Sequence, residues 1–307
     1  MPAVVTLVEV GPRDGLQNEA AAIATSDKVA FVNRLSDAGH RVIEVAAFVS
    51  PKWVPQMADA RAVFDGIRRR PGTRYTALVP NSEGLARALI ARADEIAIFG
   101  AASETFSRRN TNNSIAESLA VYADVCTRAG AAGIPVRAYV STAFGCPFEG
   151  PIAPRAVAEV AAAFIEMGAY QVSVSDTIGI AHPGQVPIVI EAVTRRVPLE
   201  RIALHFHDTR GTALANVLVG LQLGVTTFDS SAGGLGGCPY APGATGNLAT
   251  EDLLFMLNGL GHDTGVSLDK VLDASRFIEE KIGHPLASRY AAAERGRQAP
   301  AAEHDDR

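Results

Sequence analysis

The sequence predicts an α/β fold in which eight parallel strands, each followed by a helix, close into a (β/α)8 TIM barrel with extra C-terminal helices. Three observations carry this. Eight short β-rich runs recur along the 307-residue chain with starts about 20 to 41 residues apart, room for a strand, a crossover helix and two loops each time. The intervening segments carry helix start and stop residues. Polar, chemistry-bearing side chains follow strands 1, 2, 6, 7 and 8, as expected when one rim of a barrel holds a site. A doubly wound open sheet fits the same alternation, but the count of eight and the shared rim favour the barrel.

The runs cover residues 4–10, 42–46, 75–79, 95–99, 136–142, 170–175, 201–207 and 225–230. Between the first two, Ser26 is placed to cap a helix that aligns Val29, Val32 and Leu35 on one face, with Gly39 just past its end. Ser114 and Glu117 have capping-box spacing, and Pro154 and Pro183 suit first-turn positions. After the eighth run, helices are expected over 250–260 and 268–282. No low-complexity linker interrupts the chain. The reading is one domain over 1–290 and a polar, Ala-rich tail over 291–307 that frays or packs on a neighbour.

Composition narrows the function classes. With 48% hydrophobic and 20% charged residues, disorder is excluded as the dominant state. The net charge of −5 argues against nucleic-acid or anionic-membrane partners, so an anionic ligand needs a local basic patch. No run approaches the ~18 apolar residues of a membrane span, and the first residues lack a signal-peptide pattern. Three widely spaced cysteines, Cys126, Cys146 and Cys238, read as reduced thiols. A cytoplasmic protein is expected.

The most informative strand end is Leu204-His205-Phe206-His207-Asp208. Histidines two residues apart share one face of a strand, so both imidazoles reach one centre, a way to present two nitrogen ligands to a divalent metal. Either histidine alone would read as a hydrogen-bonded core residue. Strand 1 ends Glu9-Val10-Gly11-Pro12-Arg13-Asp14-Gly15, where Asp14 offers a metal oxygen and Arg13 a cation able to stabilise an enolate. A structural ion pair is the other reading of Arg13 and Asp14. Glu44 and Asp176, ending strands 2 and 6, stand where a barrel interior demands apolar side chains, and Arg13 or the metal shell is their natural counter-charge.

After strand 8, Gly233-Gly234-Leu235-Gly236-Gly237-Cys238 forms a glycine-rich lid whose reactive side chain is Cys238, a candidate catalytic thiol; Cys126 and Cys146 are read as structural. A second glycine-rich turn brings Asn247 back toward the rim, although alone it reads as a turn residue.

Together these motifs resemble the 3-hydroxy-3-methylglutaryl-CoA (HMG-CoA) lyase family of barrel metallolyases. The likeness spans nearly the whole chain, through Glu9-Val10-Gly11-Pro12-Arg13-Asp14-Gly15-Leu16-Gln17-Asn18-Glu19, Ser50-Pro51-Lys52-Trp53-Val54-Pro55-Gln56-Met57, Phe99-Gly100-Ala101-Ala102-Ser103-Glu104, Asp176-Thr177-Ile178-Gly179, His205-Phe206-His207-Asp208-Thr209 and Gly236-Gly237-Cys238-Pro239-Tyr240. The resemblance implies cleavage of (S)-HMG-CoA to acetyl-CoA and acetoacetate with Mg2+ or Mn2+, in leucine catabolism and ketone-body formation, by a homo-oligomer. It implies Asp14, His205, His207 and Asn247 as metal ligands, Arg13 as the enolate-stabilising cation and Cys238 as an acid/base group. His205 also counts among the catalytic residues, with Glu44 and Asp176 as supporting carboxylates. Arg108, Arg109 and Asn110, after strand 4, are the candidates for the CoA polyanion.

Three positions depart from the family pattern. Ala46 and Ala47 stand where Thr and Ser are usual, and Arg210 where a Tyr is usual. Lost hydroxyls at the strand 2 rim leave related substrates open, citramalyl-CoA or a longer branched 3-hydroxyglutaryl-CoA. A condensing enzyme of the homocitrate or isopropylmalate synthase kind shares the Arg-Asp start and the His-x-His strand. Those enzymes normally carry a further domain and lack the Cys238 loop. A catalytically silent barrel is opposed by the complete set of reactive side chains.

Overall fold

The computed structural model describes residues 4–237 and 246–298. Its strands are β1 (Thr6–Glu9), β2 (Val42–Ala47), β3 (Arg74–Leu78), β4 (Glu95–Ala101), β5 (Val136–Ser141), β6 (Gln171–Asp176), β7 (Ile202–Phe206) and β8 (Thr227–Ser230). All neighbours are parallel, and β8 returns to β1 with Thr6 opposite Thr227 and Glu9 opposite Ser230, so the sheet closes in sequence order. Each of the eight expected runs is a strand, trimmed or extended by a residue or two.

The crossover helices are α1 (Thr25–Ala38), α2 (Ala60–Gly66), α3 (Ser82–Ile90), the pair α4 (Glu104–Thr111) and α5 (Ile115–Ala131), α6 (Pro154–Glu166), α7 (Val186–Thr194) and α8 (Ala213–Gln222). After β8 come α9 (Thr250–Gly259), α10 (Leu268–Ile282) and α11 (Arg289–Gln298), the extra C-terminal helices. Punctuation works where it is local. Ser114 and Glu117 form the reciprocal capping box, Pro154 opens α6, and Gly39 ends α1 with a φ of +103°, which favours glycine.

Three expectations need correction. Ser26 does not cap α1: the N-cap is Ala24, and the neighbouring hydroxyl of Thr25 donates instead to Asp59 at 2.7 Å. Pro183 lies in the turn before α7, whose first turn holds Pro187. The tail does not begin at 291. Asp252 accepts from the Ser288 hydroxyl and from the amides of Arg289 and Tyr290, which starts α11, and Arg295 pairs with Glu279 at 2.9 Å. Ala291 is buried. Residues 299–307 lie outside the described residues.

Between barrel and helices the core is apolar, with Phe31, Phe64, Phe164, Phe206 and Phe228 all buried. Inside the barrel it is polar. At the N-terminal mouth Glu95 meets Arg74 at 3.0 Å and the Tyr170 hydroxyl at 3.0 Å. Higher up lie Glu44, Arg137, Tyr139 and Asp229, and the C-terminal rim carries the chemistry. Such buried charges persist only when paired. Among the described residues no helix is long and apolar enough to cross a membrane.

Candidate metal centre and active site

The rim is built first by a backbone device. The carbonyl of Val10 accepts the amides of Arg13, Asp14 and Gly15 at 2.8–3.2 Å, so the chain leaves β1 in a single wide turn, Gly11–Gly15, with Pro12 in it. That turn aims two adjacent side chains at the barrel mouth. Arg13, 7% exposed, donates from Nε to Glu44 and from Nη1 to Asp14 Oδ1 at 2.6 Å, and its guanidinium lies 5.9 Å from the Tyr139 ring centroid. Burial opposes its charge, but Glu44 and Asp14 outweigh that and raise its pKa further. It is a fixed cation.

The other oxygen of Asp14 accepts from Asn247 Nδ2 at 2.9 Å. Burial alone would raise this carboxyl, yet Arg13, His205 and His207 hold it at about 2. His205 belongs to β7, and His207 follows it in a two-strand bridge to Asn247. The two imidazole centroids are 5.2 Å apart. One donor atom each from Asp14, His205 and His207 lies within 4.8 Å of the others. The structure thus brings together three of the expected ligands, with Asn247 beside them.

Two orphaned atoms test whether these residues suit a metal ion. His207 Nδ1 and Asn247 Oδ1 are buried without a hydrogen-bond partner among the described residues, an expensive condition unless something else satisfies them. Burial and then the neighbouring His205 push His207 down to about 4, so it stands neutral with a lone pair available. A carboxylate, two imidazoles and an amide oxygen suit a borderline or hard divalent cation. The donor set fits.

Glu44 accepts from Arg13 on one oxygen and from the Tyr139 hydroxyl, at 2.8 Å, on the other, so its counter-charge is the expected one. A bulge between Glu44 and Ala46 re-aims β2 at this level. Asp176 differs from expectation. Its oxygens accept the backbone amides of Ile180 and Ala181 at 3.1 and 3.0 Å, so the loop after β6, rather than Arg13, satisfies it. Burial raises its pKa. Arg210 secures the same loop by donating to the carbonyls of Ile178 and Gly179 at 3.1 and 2.9 Å. Ala46 and Ala47 are buried in the wall of β2.

Arg108, Arg109 and Asn110 all lie on α4, after β4. Arg108 pairs with Glu104 at 3.0 Å, and Arg109 sits 4.2 Å from the Phe148 ring centroid. Cys238 lies outside the described residues. Cys126 and Cys146 are buried, Cys126 with a thiol pushed up to about 11 by burial, and the Cys146 sulfur is 3.0 Å from the Ser103 hydroxyl.

Sequence reasoning missed a supporting layer. Arg137 donates to Asp229 Oδ1 at 2.7 Å and to the Tyr139 hydroxyl at 2.9 Å, Ser173 donates to Asp229 Oδ2 at 2.8 Å, and His205 Nδ1 lies 3.3 Å from the same oxygen. The available signal was an arginine near the start of the fifth apolar run, where burial demands an acidic partner.

These features define a (β/α)8 barrel whose C-terminal rim holds a divalent-metal donor set beside a fixed guanidinium. The chain belongs to the HMGL-like family, whose model matches residues 4–278. It is 52% identical to the hydroxymethylglutaryl-CoA lyase of Bacillus subtilis over 288 residues, 94% of this chain and 96% of that one. The solved hydroxymethylglutaryl-CoA lyase of Pseudomonas aeruginosa superposes with a TM-score of 0.95 at 51% identity, covering 97% of this chain and 99% of that one. An HMG-CoA lyase from Acinetobacter baumannii, solved with coenzyme A and 3-methylmalate, has a TM-score of 0.91 at 38% identity, covering 95% and 97%.

Proposed function

We propose that this chain is a divalent-metal-dependent carbon–carbon lyase that cleaves (S)-HMG-CoA to acetyl-CoA and acetoacetate. The observation that carries the reading is the convergence of Asp14, His205, His207 and Asn247 beside Arg13 on one rim, in a chain so similar to lyases of that name. Asp14, His205, His207 and Asn247 would hold the ion, Mg2+ or Mn2+ by donor type. When bound, it supplies Lewis-acid polarisation of substrate oxygens.

The rest follows from the chain's own groups. Cleavage transfers the proton of the tertiary hydroxyl to a base and breaks the bond between C2 and C3. The electron pair passes to the acetyl fragment as a thioester enolate, and the former carbinol carbon becomes the ketone of acetoacetate. Arg13, held by Glu44 and Asp14, places a fixed positive charge for that enolate oxygen without reorganising at the moment of reaction. Cys238 would return a proton to the enolate carbon from the glycine-rich segment after β8. Asp176 and Arg210 shape the neighbouring loop, and Arg108, Arg109 and Asn110 are assigned to the CoA portion. The setting is cytoplasmic leucine breakdown, with the enzyme acting as a homo-oligomer.

A second reading keeps the reaction and changes the acyl group. Ala46 and Ala47 at β2, and a relative that binds CoA with 3-methylmalate, favour a related 3-hydroxyacyl-CoA such as citramalyl-CoA. Product analysis with Mg2+ on a panel of 3-hydroxyacyl-CoA thioesters decides. Acetoacetate from (S)-HMG-CoA at the highest kcat/KM is expected, a preference for another thioester selects the second reading, and no thioester cleavage refutes both.

A further inference from the structure

We infer that Asp229 is a positioning residue that fixes the tautomer of His205 so that Nε2 presents its lone pair to the metal centre. The inference rests on the metal-site reading above, and it concerns a residue that contributes no ligand atom itself.

The argument is one of donors and acceptors. Asp229 is 2% exposed and sits on β8, below the rim. Arg137, fully buried, donates to Oδ1 at 2.7 Å and can do nothing else, because a guanidinium has no acceptor. Ser173 donates to Oδ2 at 2.8 Å. The carboxylate cannot swing away, since Arg137 is itself held by Gln171 at 3.0 Å and by the Tyr139 hydroxyl at 2.9 Å. What remains of Oδ2 faces His205 Nδ1 at 3.3 Å. An acceptor-only oxygen requires that nitrogen to carry the proton. In a neutral imidazole Nε2 is then unprotonated, the form a metal requires. His205 also presents its ring edge-on to Tyr139, with centroids 6.3 Å apart, so packing and hydrogen bond agree on one orientation.

The same contacts extend into a chain. Asp14 meets Arg13, Arg13 meets Glu44, Glu44 meets Tyr139, Tyr139 meets Arg137 and Arg137 meets Asp229, which ends at His205. Three carboxylates and two guanidiniums pair along it through the neutral Tyr139 hydroxyl, so two of the metal ligands hang from the ends of one buried network. Disturbing Asp229 therefore tests the ligand farther from β1 while leaving Arg13 and Asp14 in place.

Asp229→Asn keeps the shape and inverts the demand. Arg137 keeps the amide oxygen on its own side, which turns the amide nitrogen toward His205 and forces the proton onto Nε2. The experiment reads two quantities in metal-free protein and on Mn2+ addition. Nitrogen-15 spectra of the histidine rings, assigned with His205→Gln and recorded at a pH high enough for His205 to be neutral, should show Nδ1–H for His205 in the parent and Nε2–H in Asp229→Asn. Mn2+ affinity, followed by electron paramagnetic resonance, should weaken by about 10- to 100-fold in Asp229→Asn. Ser173→Ala should keep the parent tautomer and stay within about threefold of parent affinity, because it leaves Oδ2 facing His205. An Nε2–H signal from neutral His205 in the parent overturns the inference, and so does Mn2+ binding by Asp229→Asn within about twofold of the parent. The parent spectrum decides alone if Asp229→Asn does not fold. Parent protein that shows Nδ1–H and binds Mn2+ yet cleaves no thioester refutes the proposed reaction and leaves this inference standing.

Discussion

Arg13 and His207 sit within one cluster yet should fail differently when replaced. Arg13 is assigned to charge that exists only after the carbon–carbon bond begins to break, so Arg13→Met should cut kcat by several orders of magnitude while Mn2+ affinity stays near that of the parent. His207→Ala removes a donor whose burial already keeps it neutral, so Mn2+ affinity and activity should fall together. Isothermal titration beside steady-state kinetics separates the two, and a change in KM alone for Arg13→Met contradicts its role. Cys238 is the third residue to test. Cys238→Ser should collapse the rate, and alkylation should inactivate the parent unless substrate analogue and metal are present. Cys126 and Cys146 are buried, so Cys126→Ala with Cys146→Ala should leave that sensitivity unchanged. These residues were legible because each belongs to a short pattern: an i, i+2 histidine pair, an Arg-Asp turn, a thiol among glycines. Asp229 and Arg137 were not, because they are 92 residues apart and neither has a meaningful neighbour in sequence. Asp176 misled for a related reason. A carboxylate at a strand end predicts a counter-charge, but two backbone amides four and five residues on serve as well.

At the scale of elements, the segment entering α9 bears directly on the metal centre. Gly246 has a φ of +95°, its carbonyl accepts the amide of Asp208 at 3.0 Å, and a Cβ added there would lie 1.9 Å from the Gly236 carbonyl oxygen. Gly236 in turn leaves room for the Asn247 amide, 2.6 Å from where its own Cβ would stand. The two glycines let the chain before and after residues 238–245 pass close enough to seat Asn247 against Asp14. Gly246→Ala should therefore displace Asn247, weaken Mn2+ binding by about tenfold or more, and destabilise the fold by about 1–3 kcal/mol from backbone strain. Equal Mn2+ affinity in parent and variant would show that Asn247 does not need this approach. The eight strands and most helix ends were readable because periodicity, Gly39, Pro154 and the Ser114–Glu117 box act within a few residues. The Ser26 cap failed because α1 begins earlier, at Thr25 after the N-cap Ala24, which places Ser26 inside its first turn. The docking of α11 was hidden because Asp252 and Glu279 supply its partners from other helices.

For the whole molecule, the seam where β8 meets β1 governs how stability should respond to pH. Glu9 accepts the amides of Gly11 and Ala232 and the Thr250 hydroxyl, and Glu251 accepts the Gly233 amide and the Ser275 hydroxyl. Burial outweighs these hydrogen bonds and pushes Glu9 up to about 8 and Glu251 to about 7, from an ordinary 4.5. The nearest imidazole to Glu9, His40 at 3.6 Å, gives no counter-charge because burial lowers it to about 3. Between pH 4.5 and 7 the folded protein keeps two protons that the unfolded chain releases, and each costs stability by about 1.4 kcal/mol per pH unit as pH rises. His40 and His207 act oppositely: neutral when folded and protonated when unfolded up to about 6.5, they add stability as pH rises to that point. Two against two, these terms nearly cancel from pH 4.5 to 6.5, and Asp176 and Glu95, whose pKa values burial also raises, tilt the balance toward lower stability as pH rises. Above 6.5 the histidines drop out, His205, whose pKa is raised by Asp229 and Asp14 against burial, joins the two glutamates, and stability falls toward pH 8. Urea midpoints of metal-free protein should therefore decline more steeply above pH 6.5 than below it. Glu9→Gln, whose amide oxygen can accept from Gly11 and Ala232 while its nitrogen donates to Thr250, removes one glutamate from the balance. Its midpoint should gain on the parent's as pH rises from 5 to 8, and a profile parallel to the parent's would show that Glu9 ionises normally inside the seam.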